Sequence, residues 1–506
     1  MTNDFDVVVA GGGPVGLMLA CELRAAGVAV LVLERRARPE RAVKAGSMGP
    51  LAAEAVRGLG LGAELRAAEE AANERDLRLT GKPGGPREHF GGIFLDPSLA
   101  SDPDRRRVRV DQPALEDILA RHARSLGVDV RREHEVTGLS QDGDGVSVDV
   151  ATLAGALRLR CAYLAGCDGG RSTVRELAGF GFAGTPGSLT GRDGVVRLSE
   201  EARRALPRGF HHTERGVFVF AGFGADRVAS VEFDGPPADP AAPLTLADLE
   251  ASVRRVSGVE VVIDELLSGF VYTDEARQAT TYRRGRVLLA GDAAHVYAPF
   301  GGQGLNVGLA DAANLGWKLA AQVHGWAPAG LLDTYTAERH PVAAGLLDNT
   351  RAQAALMRPD PQSRALRELF AEFTGLEPVT RRIVDMKTGQ SVRYAVGDDH
   401  PLAGTLCPDL PLDGAVAGAA TTLRDRLGRG RGLLLDLAGR AEVRAGIAPW
   451  SARVGTVTAR AKVDGVDAML LRPDGCVAWV LPQGAAYRAE ALTGALRTWF
   501  GEGETG

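Results

Sequence analysis

The 506-residue chain has only five cysteines, Cys21, Cys161, Cys167, Cys407 and Cys476, and no two stand in C-x-x-C spacing. So few, and an odd number, exclude a disulfide framework and a paired redox motif, and suit free thiols in a reducing compartment. No apolar run reaches the ~18 residues that a membrane span needs. The N-terminal apolar stretch follows Asp4 and Asp6 and is broken by glycines, so it makes a poor signal peptide. The expected location is cytoplasmic, with no membrane partner. Excess positive charge is also missing. A formal net charge of -5 argues against a nucleic-acid partner.

Glycine, by contrast, is abundant, at 65 residues. The length allows two to four domains. "FDVVVA" reads as a buried strand, "GGGPVG" as a turn, "LMLACELRAAG" as a helix and "VAVLVLE" as a second buried strand. Continuous Val/Leu strands joined by a helix signal a parallel sheet covered on both faces. From about Gly181 to Tyr272 the pattern alternates, as in "GVFVFAGFG" and "RVASVEFD", which suggests antiparallel strands. "RVLLAGD" at Arg286–Asp292 returns the chain to the first sheet, and two helices follow. Past about residue 396, "GLLLDL", "RVGTVTA" and "AMLLRPDGCVAWVL" read as strands of a separate unit, the last a hairpin at Asp474-Gly475.

Gly11-x-Gly13-x-x-Gly16 follows a strand and opens a helix. Gly11 permits the tight turn, Gly13 lets backbone approach a pyrophosphate, and Gly16 permits close helix–strand packing. The helix N-terminus, with Pro14 and Val15, offers unpaired N–H groups to that anion. Glu34, followed by Arg35, ends the next strand where a carboxylate can accept from ribose hydroxyls. This motif alone fits FAD or NAD. A second glycine loop, "GDAAHVYAPFGGQGLNVG", separates them. After Gly291, the Asp292 carboxylate can accept from a ribityl chain. Gly301, Gly302 and Gly304, then Leu305 and Asn306, open a helix whose N-terminus would favour negative charge on a flavin ring. The expected cofactor is FAD. No metal site is expected.

These two loops, with "AGCDGGRSTVR" between them, resemble the class A flavoprotein monooxygenases of the para-hydroxybenzoate hydroxylase type, in the branch of phenol hydroxylase and the aromatic-polyketide hydroxylases. The resemblance implies an α/β fold: a Rossmann-like (GR2-type) FAD-binding domain, an inserted antiparallel-sheet substrate domain and a C-terminal thioredoxin-like domain. The corresponding segments are 1–75, 102–180 and 272–395; 76–101 and 181–271; and 396–506. It implies that Asp168 and Gly169 serve FAD binding and reduction by NADPH or NADH. It also implies that Pro299 and Gly301–Leu305 back the flavin ring, with Pro299 and the Gly302 backbone nearest the chemistry. Gln112 and Arg109 in "VRVDQPALEDIL" would contact FAD. Lys44 stands where the family usually carries arginine, keeping the charge but losing the bidentate fork. Asp111 replaces a common proline.

In this family a flavin C4a-hydroperoxide made from O2 oxidises the substrate, and few catalytic side chains are needed. The substrate is expected to be a polycyclic aromatic polyketide, as in antibiotic biosynthesis. Baeyer–Villiger oxygenation of a polycyclic ketone and hydroxylation of a simpler phenol are the alternatives. A halogenase is disfavoured because WxWxIP is absent, and a flavin-bound sequestering protein is the non-enzymatic reading. Phe218 and Phe220 on one strand face are pocket candidates, with Phe223, Phe233, His89, Phe90, His211, His212, Tyr272, Tyr297 and Phe300. A histidine there could help deprotonate a phenol. The C-terminal unit, lacking C-x-x-C, is expected to be structural in a monomer or homodimer.

Overall fold

The structure is a computed structural model that describes residues 4–40, 42–80, 88–222, 226–239, 242–413, 421–428, 430–461 and 463–504. Phe223 lies outside the described residues. The first sheet runs in the order 283–284, 287–289, 155–166, 5–10, 30–34, 129–132, extended by the hairpin of 134–141 and 146–152. Strands 287–289, 155–166, 5–10, 30–34 and 129–132 run parallel to one another, and only 283–284 in that run pairs antiparallel. Their central residues, such as Val7–Val9, Leu31–Leu33, Leu164, Ala165 and Val287–Leu289, have almost no exposure, because helices 14–25 and 304–323 cover one face. Among the described residues no helix is long and apolar enough to cross a membrane.

Register decides where the site can be. Ala10 and Leu289 both pair with Gly166. One row of residues therefore crosses three strands, and Gly11, Asp168 and Gly291-Asp292 all emerge from the same carboxyl edge. In open parallel sheets that edge is where ligands bind.

The second sheet is antiparallel throughout, in the order 209–213, 216–222, 226–232, 190–197, 265–272. Helix 246–257 packs on one face, and the other face is turned to a cavity. The third large sheet runs 454–458, 432–436, 466–471, 477–482, with only the first pair parallel. That order is the thioredoxin arrangement. Helix 489–500 covers it, and Trp317 and Leu331 of the first unit share a core with Trp450, Trp499 and Phe500.

Candidate active site

The first glycine loop separates two kinds of need. Gly11 has φ +110°, and a Cβ there would strike the Cys167 carbonyl. A Cβ on Gly16 would overlap the Gly11 carbonyl oxygen. Both glycines are required by protein packing against protein. A Cβ on Gly13 would meet nothing within 4 Å. Space is kept there beside the N-terminus of helix 14–25, which begins at Pro14 and has no side-chain cap. Unmet N–H groups facing open space form an anion cradle. Glu34 accepts from the Gly12 N–H at 2.7 Å and the Arg36 N–H at 2.8 Å. These bonds fix the carboxylate beside the loop and leave lone pairs for a ligand. Arg35 is exposed.

Asp168 accepts from the Val174 N–H at 3.1 Å through Oδ2, but its other oxygen is buried with no partner. Burial pushes its carboxyl up. A buried acceptor without a donor costs about 1–3 kcal/mol, so this oxygen suits a ligand hydroxyl or N–H. Gly169, at φ +85°, leaves open space next to it. Asp292 is reachable by solvent, yet protein surrounds it closely enough that desolvation raises its carboxyl as well.

The Gly291 turn is held from behind. Asp311, fully buried, accepts from the Gly291 N–H at 3.1 Å and from Arg339 Nε at 2.7 Å, with His295 Nε2 at 2.7 Å. Val15 packs against Gly291 and Gly308, which ties the two loops together. Gly301 and Gly302 both have left-handed φ, +76° and +62°, conformations that favour glycine. Gly304 begins the uncapped helix 304–323. Leu305 packs on the main core. Asn306 accepts from the Gly49 N–H at 2.6 Å and donates to the Gly302 carbonyl at 3.0 Å. It braces the loop.

Pro299 to Gly302 form one wall of a cavity of about 400 Å³. His89, Tyr272 and Phe300 line it as the sequence suggests, and so do Lys44 and Arg109. Lys44 lies 3.4 Å from Glu40, and Arg109 pairs with Asp76. Gln112 starts helix 112–125 and donates its N–H to the Ala45 carbonyl at 2.9 Å. Asp111 caps that helix by accepting from the Ala114 N–H at 2.9 Å. A proline there could not do this.

Several pocket candidates are corrected. Phe218 and Phe220 face helix 246–257, and the cavity receives Val217, Val219 and Ala221 instead. His211 pairs directly with Phe218, so it shares that outer face and stacks on it at 6.4 Å. Phe90 alternates away from His89 and packs on Phe370 at 5.5 Å. Tyr297 stacks on His295 at 5.6 Å behind the glycine loop. Phe233 packs under Arg358, and His212 sits behind Phe210 at 5.1 Å. None of these seven lines the cavity.

Other lining residues carry no sequence motif. Arg107 pairs with Glu88 and donates to the Gly301 carbonyl at 3.2 Å. Lys387, buried, donates to Glu88 at 2.7 Å and to the His89 carbonyl at 2.5 Å. Burial and the Lys387 charge push His89 down to about 4, so its imidazole is neutral near pH 7.

Residues 4–350 match the family described as FAD binding domain, and residues 400–503 match aromatic-ring hydroxylase, C-terminal. A bifunctional 12-dehydrotetracycline 5-monooxygenase/anhydrotetracycline 6-monooxygenase of Streptomyces rimosus is 41% identical, over 98% of this chain and 99% of that protein. A dialkyldecalin synthase of Streptomyces rugosporus is 40% identical over 98% of each. The crystal structure of an aromatic hydroxylase from angucycline biosynthesis has a TM-score of 0.87 at 38% identity, covering 99% of this chain and 100% of that one. The chain belongs to the family of FAD-dependent aromatic-ring monooxygenases.

Proposed function

We propose that this enzyme hydroxylates a polycyclic aromatic polyketide, taking electrons from NADPH or NADH and one oxygen atom from O2. The observation that carries the reading is the cavity: one wall is the Pro299–Gly302 turn, and the facing wall is a sheet of small apolar and aromatic side chains. Such a slot suits flat fused rings.

The residues present fit FAD. The free space at Gly13, the unpartnered Asp168 oxygen and the solvent-reachable carboxylate of Asp292 match, in turn, a pyrophosphate, a hydroxyl-bearing chain and a ribityl group. Glu34 would take the adenosine ribose. Lys44, Arg109 and Gln112 would flank the linker, and Gly301 to Leu305 the ring. When bound, FAD supplies the activation of O2. The chain's own share is positional. Asp311 and Asn306 hold the loops, and Arg107 fixes the Gly301 carbonyl. The apolar sheet face keeps water from the reacting ring. Neutral His89 accepts from the Gly92 N–H through Nδ1 at 3.3 Å, so its Nε2–H can donate a hydrogen bond to a substrate oxygen. The FAD-binding unit would comprise 1–75, 102–180 and 272–395, with 76–101 and 181–271 holding substrate and 396–506 as the C-terminal unit.

Incubation with anhydrotetracycline or an angucyclinone, NADPH and labelled O2, read by mass spectrometry, tests this. Label in a ring hydroxyl is expected. Label in a new lactone oxygen would mean Baeyer–Villiger chemistry. A product with no label and no NADPH consumed would mean a non-oxidative reaction.

A further inference from the structure

The cavity face of the antiparallel sheet is ordered in three rows, and the rows are chemically unequal. The first row is Tyr272, Gly191, Val231 and Val217, which are mutual neighbours across four strands. Tyr272 meets Phe300 edge-on at 6.0 Å, so this row abuts the glycine turn. Its ring lies across Gly191, where a Cβ would strike it. The second row is Phe270, Asp193, Ala229 and Val219. The third is Val195, Arg227 and Ala221. Two residues of strand separate successive rows, so the Arg227 backbone stands ~13 Å from the first row, while its guanidinium reaches back to Asp193 in the second.

Arg227 and Asp193 are the one ion pair set into this face among the described residues. Arg227 gives Nε to Asp193 at 2.6 Å and Nη2 at 3.0 Å. Nη1 has no partner among the described residues, and the side chain is 19% exposed, to the cavity that it lines. A half-buried pair on a wall of Val, Ala and Phe contributes little net stability. A fork held by two bonds with its third nitrogen free is a fixed double donor. Around the whole cavity the lining carries six Lys or Arg against three Asp or Glu, Arg227 and Asp193 included, so cations are in excess.

We propose that Arg227, oriented by Asp193, recognises an anionic or strongly accepting oxygen (a carboxylate, an enolate or a phenolate) at the end of the fused-ring substrate remote from the glycine turn. This rests on the polycyclic reading of the cavity and adds to it a polar anchor on the sheet face.

The test uses the FAD-loaded enzyme, equilibrium dialysis and two probes of one shape, anthraquinone-2-carboxylate and 2-methylanthraquinone. The wild type is expected to prefer the carboxylate by at least about tenfold, the size of one charge-assisted bond. Arg227→Met should remove the preference and leave the methyl probe within twofold. Asp193→Asn should raise the preference, because the guanidinium loses a competing anion. A merely structural pair would instead weaken both probes equally in both variants, and that result overturns the proposal. So does a preference that survives in Arg227→Met, or its absence from the wild type. Failure of the wild type to bind either probe overturns both this proposal and the polycyclic reading, whereas loss of the preference alone leaves that reading standing.

Discussion

Gly16 lies directly beneath the Gly11 carbonyl, so near that no side chain can stand between them, whereas Gly13 three residues earlier faces nothing within 4 Å. The same motif thus contains glycines of opposite meaning. Gly16→Ala should cost about 1–3 kcal/mol by overpacking and lower the melting temperature of the FAD-free protein. Gly13→Val should leave that melting temperature nearly unchanged and abolish bound FAD. Both follow from differential scanning fluorimetry with flavin released on denaturation. Full FAD occupancy in Gly13→Val would remove the N-terminal loop from the cofactor site.

The cysteines should be chemically silent. Cys407 and Cys476 are buried in the C-terminal unit, and desolvation pushes the Cys407 thiol up to about 12 and Cys476 higher still. A thiol so raised supplies no thiolate at neutral pH. The Cys407→Ala/Cys476→Ala protein should keep turnover within about threefold, with small stability losses from the lost volume. Abolished turnover with FAD retained would assign chemistry to this unit.

Glu338 links the C-terminal unit to the rest. It accepts from Arg472 at 2.6 and 2.9 Å and from Lys318 at 2.8 Å, all three buried. Although burial opposes it, the Arg472 and Lys318 charges hold its carboxyl well below the usual range. A carboxyl lowered in the folded state adds stability above its unfolded pKa of ~4.3 and loses it as pH falls toward the folded value. Glu338→Gln should cost about 3 kcal/mol, the lower end for a broken buried pair, because Asp474 still faces Arg472 at 2.5 Å. Urea midpoints should show the full gap near neutral pH and a narrowing one below ~4.3.

His89 should not set the pH optimum. Its conjugate acid, pushed down to about 4, titrates below the working range. The pH profile of kcat/KM for His89→Gln between pH ~5.5 and ~8 should parallel the wild type, even where kcat itself falls. Loss of an inflection near pH ~6.5 would make His89 the base.

The two glycine loops and Asp168 could be placed from sequence because each is a local strand–turn–helix pattern, and one sheet edge gathers them. The substrate face was harder. In "GVFVFAG" both alternate sets are apolar, so period-2 reasoning cannot choose a face. The large rings of Phe218 and Phe220 fill the space under helix 246–257, and the smaller Val217, Val219 and Ala221 leave room for a ligand. A cavity lies where side chains are small. Arg107, Glu88 and Lys387 meet from three separated segments, and no local pattern announces that. Asp111 stood out only as a missing proline, and its capping bond to Ala114 supplies the reason.

The shared core of Trp317, Leu331, Trp499 and Phe500 has a consequence for synthesis. Helix 304–323 carries the glycine turn at its N-terminus, but Trp317 on the same helix has its cover nearly two hundred residues later in the chain. On the ribosome, where folding proceeds from the N-terminal side, that helix emerges long before its apolar face can be buried. The helix that carries the glycine turn therefore keeps part of its apolar face uncovered until helix 489–500 has been made.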